Sequence, residues 1–280
     1  MNHTKPPHVS VDADFGPWFA SLAHRLLNET DFLVAGQPYR FAEVEAYYHG
    51  DGHLDLFTHR DPLQSELLRW YFHRTAGQYR SGSFKGLDLT FGDGKAMFGM
   101  LIRAIIGPDD NIIDGPSLTV DHLLAKTGAK TISELDRTIA GRTALDESSP
   151  LAIRAATTPR IAPVLSTPRV GLSLKKHRAD SDAPRFVMRR YRYVTEPRRL
   201  TKGKPHMVLA LHQDGKDIDT IHTTTGVPKK SIERYVADFA AGKAAASFAD
   251  YVGKDLGTSE LCRLAGTCSA RFTPAGAPGG

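Results

Sequence analysis

Short stretches in which apolar and polar residues alternate predict a sheet in the first part of the chain. In them apolar side chains recur at every second position, and Gly-containing turns separate the stretches, as in strands joined by hairpins. The predicted strands cover residues 32–34, 39–47, 84–91, 96–106, 170–174 and 185–194. Helical spacing of apolar residues predicts helices at 15–27, 65–72, 117–127 and 133–140. Residues 73–83 are predicted to form a polar loop.

Beyond Lys202 the apolar spacing becomes that of a small helical unit. The predicted helices are 207–212, 217–224 and 229–239. Gly226 supplies the turn before the third helix, and this order predicts a helix-turn-helix, although a generic small bundle fits the same pattern. The cations predicted to face DNA at the start of that helix are Lys229, Lys230 and Arg234.

Together these patterns predict an α+β protein. Its fold would be a curved, mostly antiparallel sheet with flanking helices, followed by a small all-α helix-turn-helix domain. The predicted boundaries are 1–197 for the sheet domain, 198–256 for the helical domain and 257–280 for a flexible tail.

Composition narrows the class of protein further. The 280 residues are 41% apolar and 24% charged, which is ordinary for a globular protein with a substantial core. No apolar run approaches the roughly 18 residues of a membrane helix, and the start of the chain lacks a signal pattern. Cys262 and Cys268 suggest no disulfide framework and no metal spacing. We therefore expect a cytoplasmic protein without membrane association.

Positive charge is concentrated between Phe186 and Lys204, a stretch that contains seven Lys or Arg residues and one carboxylate. Cations at this density beside two tyrosines suit a surface that follows phosphates, because neutralised phosphates release condensed counterions. Arg189 and Arg190 are the residues expected to contact DNA there. A solvated linker is the alternative interpretation.

Candidate chemistry is concentrated in the strand that contains Glu45. Phe41, Glu43 and Glu45 fall on one face of the period-two pattern, and three small apolar residues fall on the other. One face of the strand therefore carries two acids. On its own, this pattern also fits a half-buried strand with a solvated acidic face.

Several segments, in this order, resemble the alkyladenine (3-methyladenine) DNA glycosylase family. The resembling segments are Ser21–Leu27, Ala42–Tyr47, Thr58–Arg60, Leu101–Ala104, Asp114–Ser117, Pro168–Gly171 and Pro184–Phe186. The resemblance implies an enzyme that flips a modified base out of duplex DNA and hydrolyses its N-glycosidic bond. It would act without a cofactor and leave an abasic site. We expect a monomer bound to double-stranded DNA near the nucleoid.

The resemblance also implies roles for particular residues. Glu45 would activate the attacking water, Tyr47 would stack on the flipped base, and His59 would contact the base and its phosphate. Arg103, in an apolar strand, would face Glu45 or a phosphate, unless that strand is at the edge of the sheet. A metal site made from His49, His53, His59 and His73 is the alternative, but their spacing matches no standard ligand pattern.

Two departures from the family concern the substrate. Asp88 stands where the family has a pocket asparagine, and a carboxylate would accept a hydrogen bond from an exocyclic amine of the base; a structural polar residue is the alternative. The family's aromatic wedge has no clear match, so Tyr79 or Arg80 would replace it. Excision of hypermodified bases from phage DNA is therefore a second hypothesis. A catalytically inactive DNA-binding regulator is a third.

Overall fold

The computed structural model describes residues 15–245 and 247–272 of the chain. Its α-helices are α1 (Gly16–Glu29), α2 (Pro116–Thr127), α3 (Ile132–Ile139), α4 (Ala183–Val187), α5 (Lys204–Gln213), α6 (Ile218–Thr225), α7 (Lys229–Lys243) and α8 (Thr258–Phe272). Its strands are β1 (Thr30–Val34), β2 (Gln37–Gly50), β3 (His53–Leu54), β4 (Leu67–Phe72), β5 (Arg74–Thr75), β6 (Gln78–Tyr79), β7 (Leu87–Phe91), β8 (Met97–Ile106), β9 (Ile112–Asp114), β10 (Leu151–Ala155), β11 (Leu165–Thr167) and β12 (Arg192–Val194). Short 3₁₀ helices cover Pro62–Ser65, Gly82–Phe84 and Ala249–Tyr251.

The chain divides into two compact units. Among the described residues, the sheet unit consists of 15–54, 58–164 and 193–195. The helical unit consists of 55–57, 165–192, 196–245 and 247–272. The division therefore differs from the predicted boundary at 197. Residues 165–192 belong with the helices because Leu174 and Val187 share a core with Tyr251 and Leu264.

The sheet unit is built on one antiparallel path of strands. Their order is β10, β1, β2, β8, β7 and β4, and every neighbouring pair is antiparallel. The first hairpin turns at Ala35 and Gly36, which both have positive φ, as a tight two-residue turn requires. β8 lies between β2 and β7, so the alternative that Arg103 is on an edge strand is wrong. The predicted α+β class is confirmed.

Helix α1 covers the apolar face of this sheet. Trp18 and Phe19 pack on Phe98 of β8, with ring centroids 5.0 and 5.2 Å apart. Phe19 is fully buried, and burying one such side chain stabilises a fold by about 1.5–3 kcal/mol. With this face closed by aromatic packing, the polar side chains of the strands lie on the opposite face.

Two predicted elements of the sheet unit are wrong. The helix predicted at 65–72 is instead strand β4, which pairs with β7 and buries the aromatic rings of Trp70 and Tyr71. Aromatic residues favour a pleated, half-buried surface, and tertiary pairing outweighs the local helical spacing. The loop predicted at 73–83 contains the β5–β6 hairpin, which turns at Ala76 and Gly77 with positive φ.

The strands predicted at 170–174 and 185–194 are also largely wrong. The first is an irregular segment, and in the second only Arg192–Val194 is a strand, preceded by helix α4. Pro184 stands in the first turn of that helix, where its missing N–H is not needed.

The helical unit contains the predicted helix-turn-helix, formed by α5, α6 and α7. Asp217 caps α6 by accepting a hydrogen bond from the backbone N–H of Thr220 at 2.7 Å. Gly226 ends α6 in the left-handed region, at φ 71°. The shared core of this unit includes Val208, Leu211, Ile221, Val227 and Ile232. All three helices are confirmed, with ends within a few residues of the predicted positions.

The tail prediction is wrong for residues 258–272, which form α8; residues 273–280 lie outside the described part of the chain. α8 crosses α7 at two glycines. A Cβ on Gly242 would stand 2.0 Å from the carbonyl oxygen of Arg263, and one on Gly266 would stand 2.0 Å from that of Phe239. The Thr267 hydroxyl donates to the Gly242 carbonyl at 2.9 Å. The two backbones therefore approach too closely for any side chain at these positions.

We expect Gly242→Ala to destabilise the α7–α8 pair by about 2–3 kcal/mol, because the added methyl group meets backbone atoms that cannot rotate away. Hydrogen–deuterium exchange of peptides from α7 and α8 should show faster exchange. Gly257→Ala is the matched control, since a Cβ there meets only the Glu260 carboxylate at an ordinary 3.7 Å. Unchanged protection in the Gly242 variant would contradict this packing.

Candidate active site on the polar face of the sheet

Four paired residues mark a row across the polar face of the sheet. Glu45 of β2 pairs with Leu101 of β8, Leu101 pairs with Asp88 of β7, and Asp88 pairs with Tyr71 of β4. Paired residues of neighbouring strands project from the same face, and each strand adds about 4.8 Å. Glu45 and Asp88 are therefore about 10 Å apart along the row, with Leu101 between them.

Glu45 belongs to a buried cluster of charges. Arg103 Nε lies 2.6 Å from Glu43 Oε1 and 3.3 Å from Glu45 Oε1. Both acids are fully buried and Arg103 is 6% exposed. The pairing between β2 and β8 is irregular on either side of Glu43, which interrupts the simple alternation of side chains. The Phe41 ring, predicted on the same face as the two acids, therefore stacks on Phe32. The expectation that Arg103 faces Glu45 is confirmed, and the solvated acidic face is excluded.

Tyr47 completes the cluster. Its hydroxyl donates to Glu45 Oε2 at 2.8 Å, while Arg103 Nη1 lies 3.5 Å from the same oxygen. Burial would lower the pKa of Arg103, but the carboxylates of Glu45 and Glu43 outweigh it and raise that pKa. The arginine therefore stays charged, and the Glu45 carboxylate is held between a phenol and a guanidinium.

At the other end of the row, Asp88 orients a pair of histidines. Its Oδ1 lies 2.6 Å from His73 Nε2, so this ring nitrogen carries the proton. The His73 and His59 rings meet edge to face, with centroids 4.2 Å apart. His59 Nδ1 lies 3.3 Å from the Tyr71 hydroxyl. Burial and the neighbouring His73 lower the pKa of His59 to about 4, so His59 is neutral at pH 7.

Gln64, which lies in the 3₁₀ helix at Pro62–Ser65, holds Asp88 of this cluster in place. Its side-chain oxygen accepts from the Asp61 N–H, and its amide nitrogen donates to Asp88 Oδ2 at 3.0 Å. A Cβ on Gly99 would stand 2.3 Å from Asp88 Oδ2, so only glycine leaves room for this pair on the sheet. Gln64 was not among the predicted site residues, although Asp61 and Gln64 have the spacing of a capping box.

The predicted role of Asp88 as an acceptor for the base requires correction. Both of its oxygens already accept hydrogen bonds from side chains of the protein, His73 and Gln64. Asp88 therefore positions His73, and neither His73 nor Tyr71 was among the predicted binding residues. The structural alternative for Asp88 is the better description.

The predicted wedge residues are also engaged elsewhere. The Tyr79 hydroxyl donates to Asp136 at 2.6 Å, and the Arg74 guanidinium lies 4.6 Å from the centre of its ring. Arg80 donates to the Thr75 hydroxyl. Tyr79 is thus fixed against α3 instead of projecting outward. The strongly exposed aromatic ring of this region is Phe84, with 73% of its surface accessible.

The basic stretch from 186 to 204 is used largely to hold the helical unit together. Arg192 is fully buried and reaches Thr167 Oγ1 and the Lys202 and Gly203 carbonyls, so its predicted contribution to a phosphate surface is wrong. Arg190, predicted to contact DNA, pairs with Asp214 at 2.6 Å and donates to the Ala210 carbonyl. These contacts pair the cations with acceptor groups of the protein itself, which reduces the positive surface charge available to a ligand.

Three of the five predicted DNA-contacting cations are exposed. Lys229, Lys230 and Arg234 are exposed along the first turns of α7, and Lys229 pairs with Asp219 at 2.5 Å. The Arg234 guanidinium stands 5.5 Å from the Tyr235 ring. Arg189 is half-buried and donates to the Arg185 carbonyl.

The four histidines of the alternative metal site are not assembled as ligands. Within residues 15–245 and 247–272, no group of three or more His, Cys, Asp or Glu side chains is arranged to hold a metal ion. His53 instead packs against Phe15, with ring centroids 4.9 Å apart. Over the same described residues, no helix combines the length and the apolar character needed to cross a membrane.

The low pKa of His59 predicts a pH-dependent stability. Between pH 6.5 and about 4 the unfolded chain protonates His59 and the folded chain does not, so stability falls as the pH is lowered. A pKa difference of one between the folded and unfolded chain corresponds to about 1.4 kcal/mol of stability. Because the His59 side chain is partly exposed to solvent, we expect a total loss of stability of about 2 kcal/mol. His59→Asn should remove this part of the loss.

Urea unfolding at pH 7.5 and pH 4.5 measures this difference. Trp18 and Trp70 both lie in the sheet unit, so tryptophan fluorescence follows that unit selectively. His24→Asn, at an exposed histidine of α1, is the control and should keep the wild-type profile. Parallel profiles for His59→Asn and the wild type would refute the burial argument.

The fold and this site define an α+β protein in which a buried acid pair, held by an arginine, lies on an antiparallel sheet that precedes a helix-turn-helix unit. No protein-family profile matches the chain. The chain is 32% identical to the uncharacterized protein L759 of Acanthamoeba polyphaga mimivirus over 219 residues, which are 72% of this chain and 95% of the viral protein. The chain therefore belongs to the same family as that viral protein.

Proposed function

We propose that the protein is a monofunctional DNA glycosylase that removes a modified base and leaves an abasic site. The observation that carries the proposal is the Glu45 carboxylate, which is fully buried yet held by Tyr47 and Arg103 on a polar sheet face. Burying two acids and an arginine costs several kcal/mol of desolvation, and function is a common reason for retaining such a cluster.

The chemistry requires a carboxylate beside the sugar of an extruded nucleotide. A base stacked in a duplex cannot be attacked at its sugar carbon, so the nucleotide must be flipped into a protein pocket. Glu45 takes a proton from water as the water oxygen bonds to C1′, and the C1′–N bond breaks with its electrons leaving on the base. The negative charge of Glu45 also stabilises the cationic sugar of the transition state.

The histidine end of the row is the proposed contact for the base. His73 is oriented by Asp88, and neutral His59 offers an acceptor nitrogen at pH 7. Tyr47, next to Glu45, is the proposed stacking surface. For extrusion, exposed Phe84 replaces Tyr79 and Arg80 as the better candidate, because an apolar ring can be inserted between base steps.

The experiment that tests the function is mass spectrometry of bases released from genomic DNAs of several sources, including heavily modified phage DNA. Modified duplexes are then treated with the purified protein, with and without hot alkali. We expect strand cleavage only after alkali, because no lysine is placed by the motif to form a Schiff base. Cleavage before alkali would refute the monofunctional assignment, and no released base from any DNA would refute the enzyme.

Hypermodified phage bases are the second candidate substrate, next to alkylated purines. The segment from 73 to 84, which departs from the glycosylase pattern and presents Phe84, favours it. Plating efficiency of phages with modified and unmodified genomes separates the two: selective restriction of modified phages supports defence, and equal plating supports repair.

A DNA-binding regulator without catalysis is the remaining candidate, and the exposed cations of α7 favour it. In either case we propose double-stranded DNA as the partner, bound by a monomer in the nucleoid region of the cytoplasm.

We expect Lys230→Gln to weaken DNA binding for every sequence. The slope of the logarithm of the binding constant against the logarithm of the salt concentration should become smaller by about 0.9, the value for one phosphate contact. Lys216→Gln, at an exposed lysine before α6, is the control. Sequence-specific binding without base release would favour the regulator.

A further inference from the structure

A cavity of the sheet unit is lined by three arginines. It has a volume of about 400 Å³ and lies where β1, β2 and the segment after β10 meet. Arg40, Arg154 and Arg160 line it together with the carboxylates of Asp31 and Asp110. The lining therefore carries one more positive than negative charge. Thr157 and Thr158 add exposed hydroxyl groups at its edge.

Two of these arginines converge on one carboxylate without bonding to it closely. Arg154 Nε lies 3.8 Å from Asp31 Oδ2, and Arg160 Nη1 lies 4.0 Å from Asp31 Oδ1. Both distances exceed the length of a charge-assisted hydrogen bond, which is about 2.7–2.9 Å. Arg154 Nε is buried and has no hydrogen-bond partner among the described residues. Such an N–H is unusual in a folded protein, because leaving a buried donor without an acceptor is costly.

The remaining contacts of the three side chains hold them in place. Arg160 Nε and Nη2 donate to the Leu27 carbonyl at 3.2 and 2.7 Å, which points Nη1 towards Asp31. Arg154 Nη1 lies 3.5 Å from Glu147, an exposed acid. Arg40 pairs with Asp110 at 2.7 Å. Burial and the charge of Arg40 lower the pKa of Arg160, which indicates that the positive charges repel one another.

We propose that this cavity binds a phosphate group, with Arg154 and Arg160 as its main ligands and the threonine hydroxyls as further donors. A phosphate brings more negative charge and more acceptor oxygens than Asp31, so it can bind the guanidinium groups of Arg154 and Arg160 together and relieve the repulsion between them. Two sources share this chemistry: a phosphodiester of DNA and the phosphate of a free nucleotide. The site stands apart from the Glu45 cluster and does not depend on base release.

The test is a titration of the full-length protein with inorganic phosphate, followed by phosphorus NMR. We expect saturable binding that Arg154→Gln weakens about tenfold and that Asp31→Asn strengthens several-fold, because the second change removes the competing carboxylate. Arg137→Gln, at an exposed arginine of α3 in the same unit, is the control and should bind as the wild type does. No saturable binding, or an equal loss in the Arg137 variant, would overturn the site.

The same variants distinguish the two sources. A loss of affinity for a duplex oligonucleotide in Arg154→Gln assigns the site to the DNA backbone, whereas a loss confined to deoxyadenosine monophosphate assigns it to a nucleotide. Asp31→Asn keeps the proposal testable if Arg154→Gln is poorly folded, since its effect has the opposite sign. Weaker or unchanged phosphate binding in Asp31→Asn would contradict the proposed competition. Base release is measured separately, so failure of the phosphate site and failure of the glycosylase give different results.

Discussion

We expect Glu45→Gln to lower the rate of base release by about a thousandfold. The amide has nearly the same shape but cannot take the proton of the attacking water, and a positioned general base contributes about 10²–10⁴ in rate. It also lacks the negative charge that stabilises a cationic sugar. Single-turnover release from the substrate found by mass spectrometry measures the effect. DNA binding should be retained, because the exposed cations of α7 are untouched.

Glu43→Gln is the matched control for this prediction. Glu43 is equally buried and lies even closer to Arg103, at 2.6 Å, so its neutralisation disturbs the same ion cluster. If Glu45 is the general base, the Glu43 variant should lose less than about tenfold in rate. Equal losses in both variants would show that the acid pair acts through structure. An active Glu45→Gln protein would remove the proposed mechanism altogether.

We expect Arg103→Met to destabilise the sheet unit by about 3–5 kcal/mol. The change leaves Glu43 and Glu45 buried without their cation, and breaking a buried ion cluster in this way is strongly destabilising. Urea unfolding followed by tryptophan fluorescence measures it, since both tryptophans belong to that unit.

Two further variants show whether the loss arises from uncompensated charge. Adding Glu43→Gln to Arg103→Met removes one of the uncompensated acids, so the double variant should be less destabilised than the sum of its parts. Arg137→Met, at the surface of α3, should change stability by less than about 0.5 kcal/mol. Strict additivity, or a loss below about 1 kcal/mol for Arg103→Met, would contradict the account of the cluster.

Local pattern was sufficient to predict the class of fold, most of the α-helices and the inner strands β1, β2, β8 and β7 of the sheet. The helix at α1, the hairpin at Ala35 and Gly36, and the three helices around Gly226 all depend on residues within a few positions of one another. Turn residues, the apolar period and capping side chains are properties of short segments, so they can be recognised in the sequence without knowledge of the fold. Glu45 and Arg103 became candidate residues through motifs that resemble the glycosylase family, and these motifs are also short segments of the chain.

The partners of these residues could be determined only from the folded chain. Arg103 meets Glu43 across 60 positions of sequence, and Asp88 meets Gln64 across 24. The sequence shows an acid at 88 but does not show that its two oxygens already have donors. The irregular pairing beside Glu43 depends on how β2 and β8 align and has no local signal.

The same distinction explains the predictions that were wrong. Residues 67–72 have an apolar spacing that fits a helix, but pairing with β7 makes them a strand. α8 has too weak a local pattern to stand out before a Gly- and Pro-rich end, and its packing against Gly242 stabilises it. Arg192 adds to the charge of a basic stretch in sequence and yet is buried in the fold. Local sequence thus determined conformational preference and chemical identity, whereas burial, pairing and charge compensation were decided by contacts between distant residues, because their energies depend on neighbours that only folding brings together.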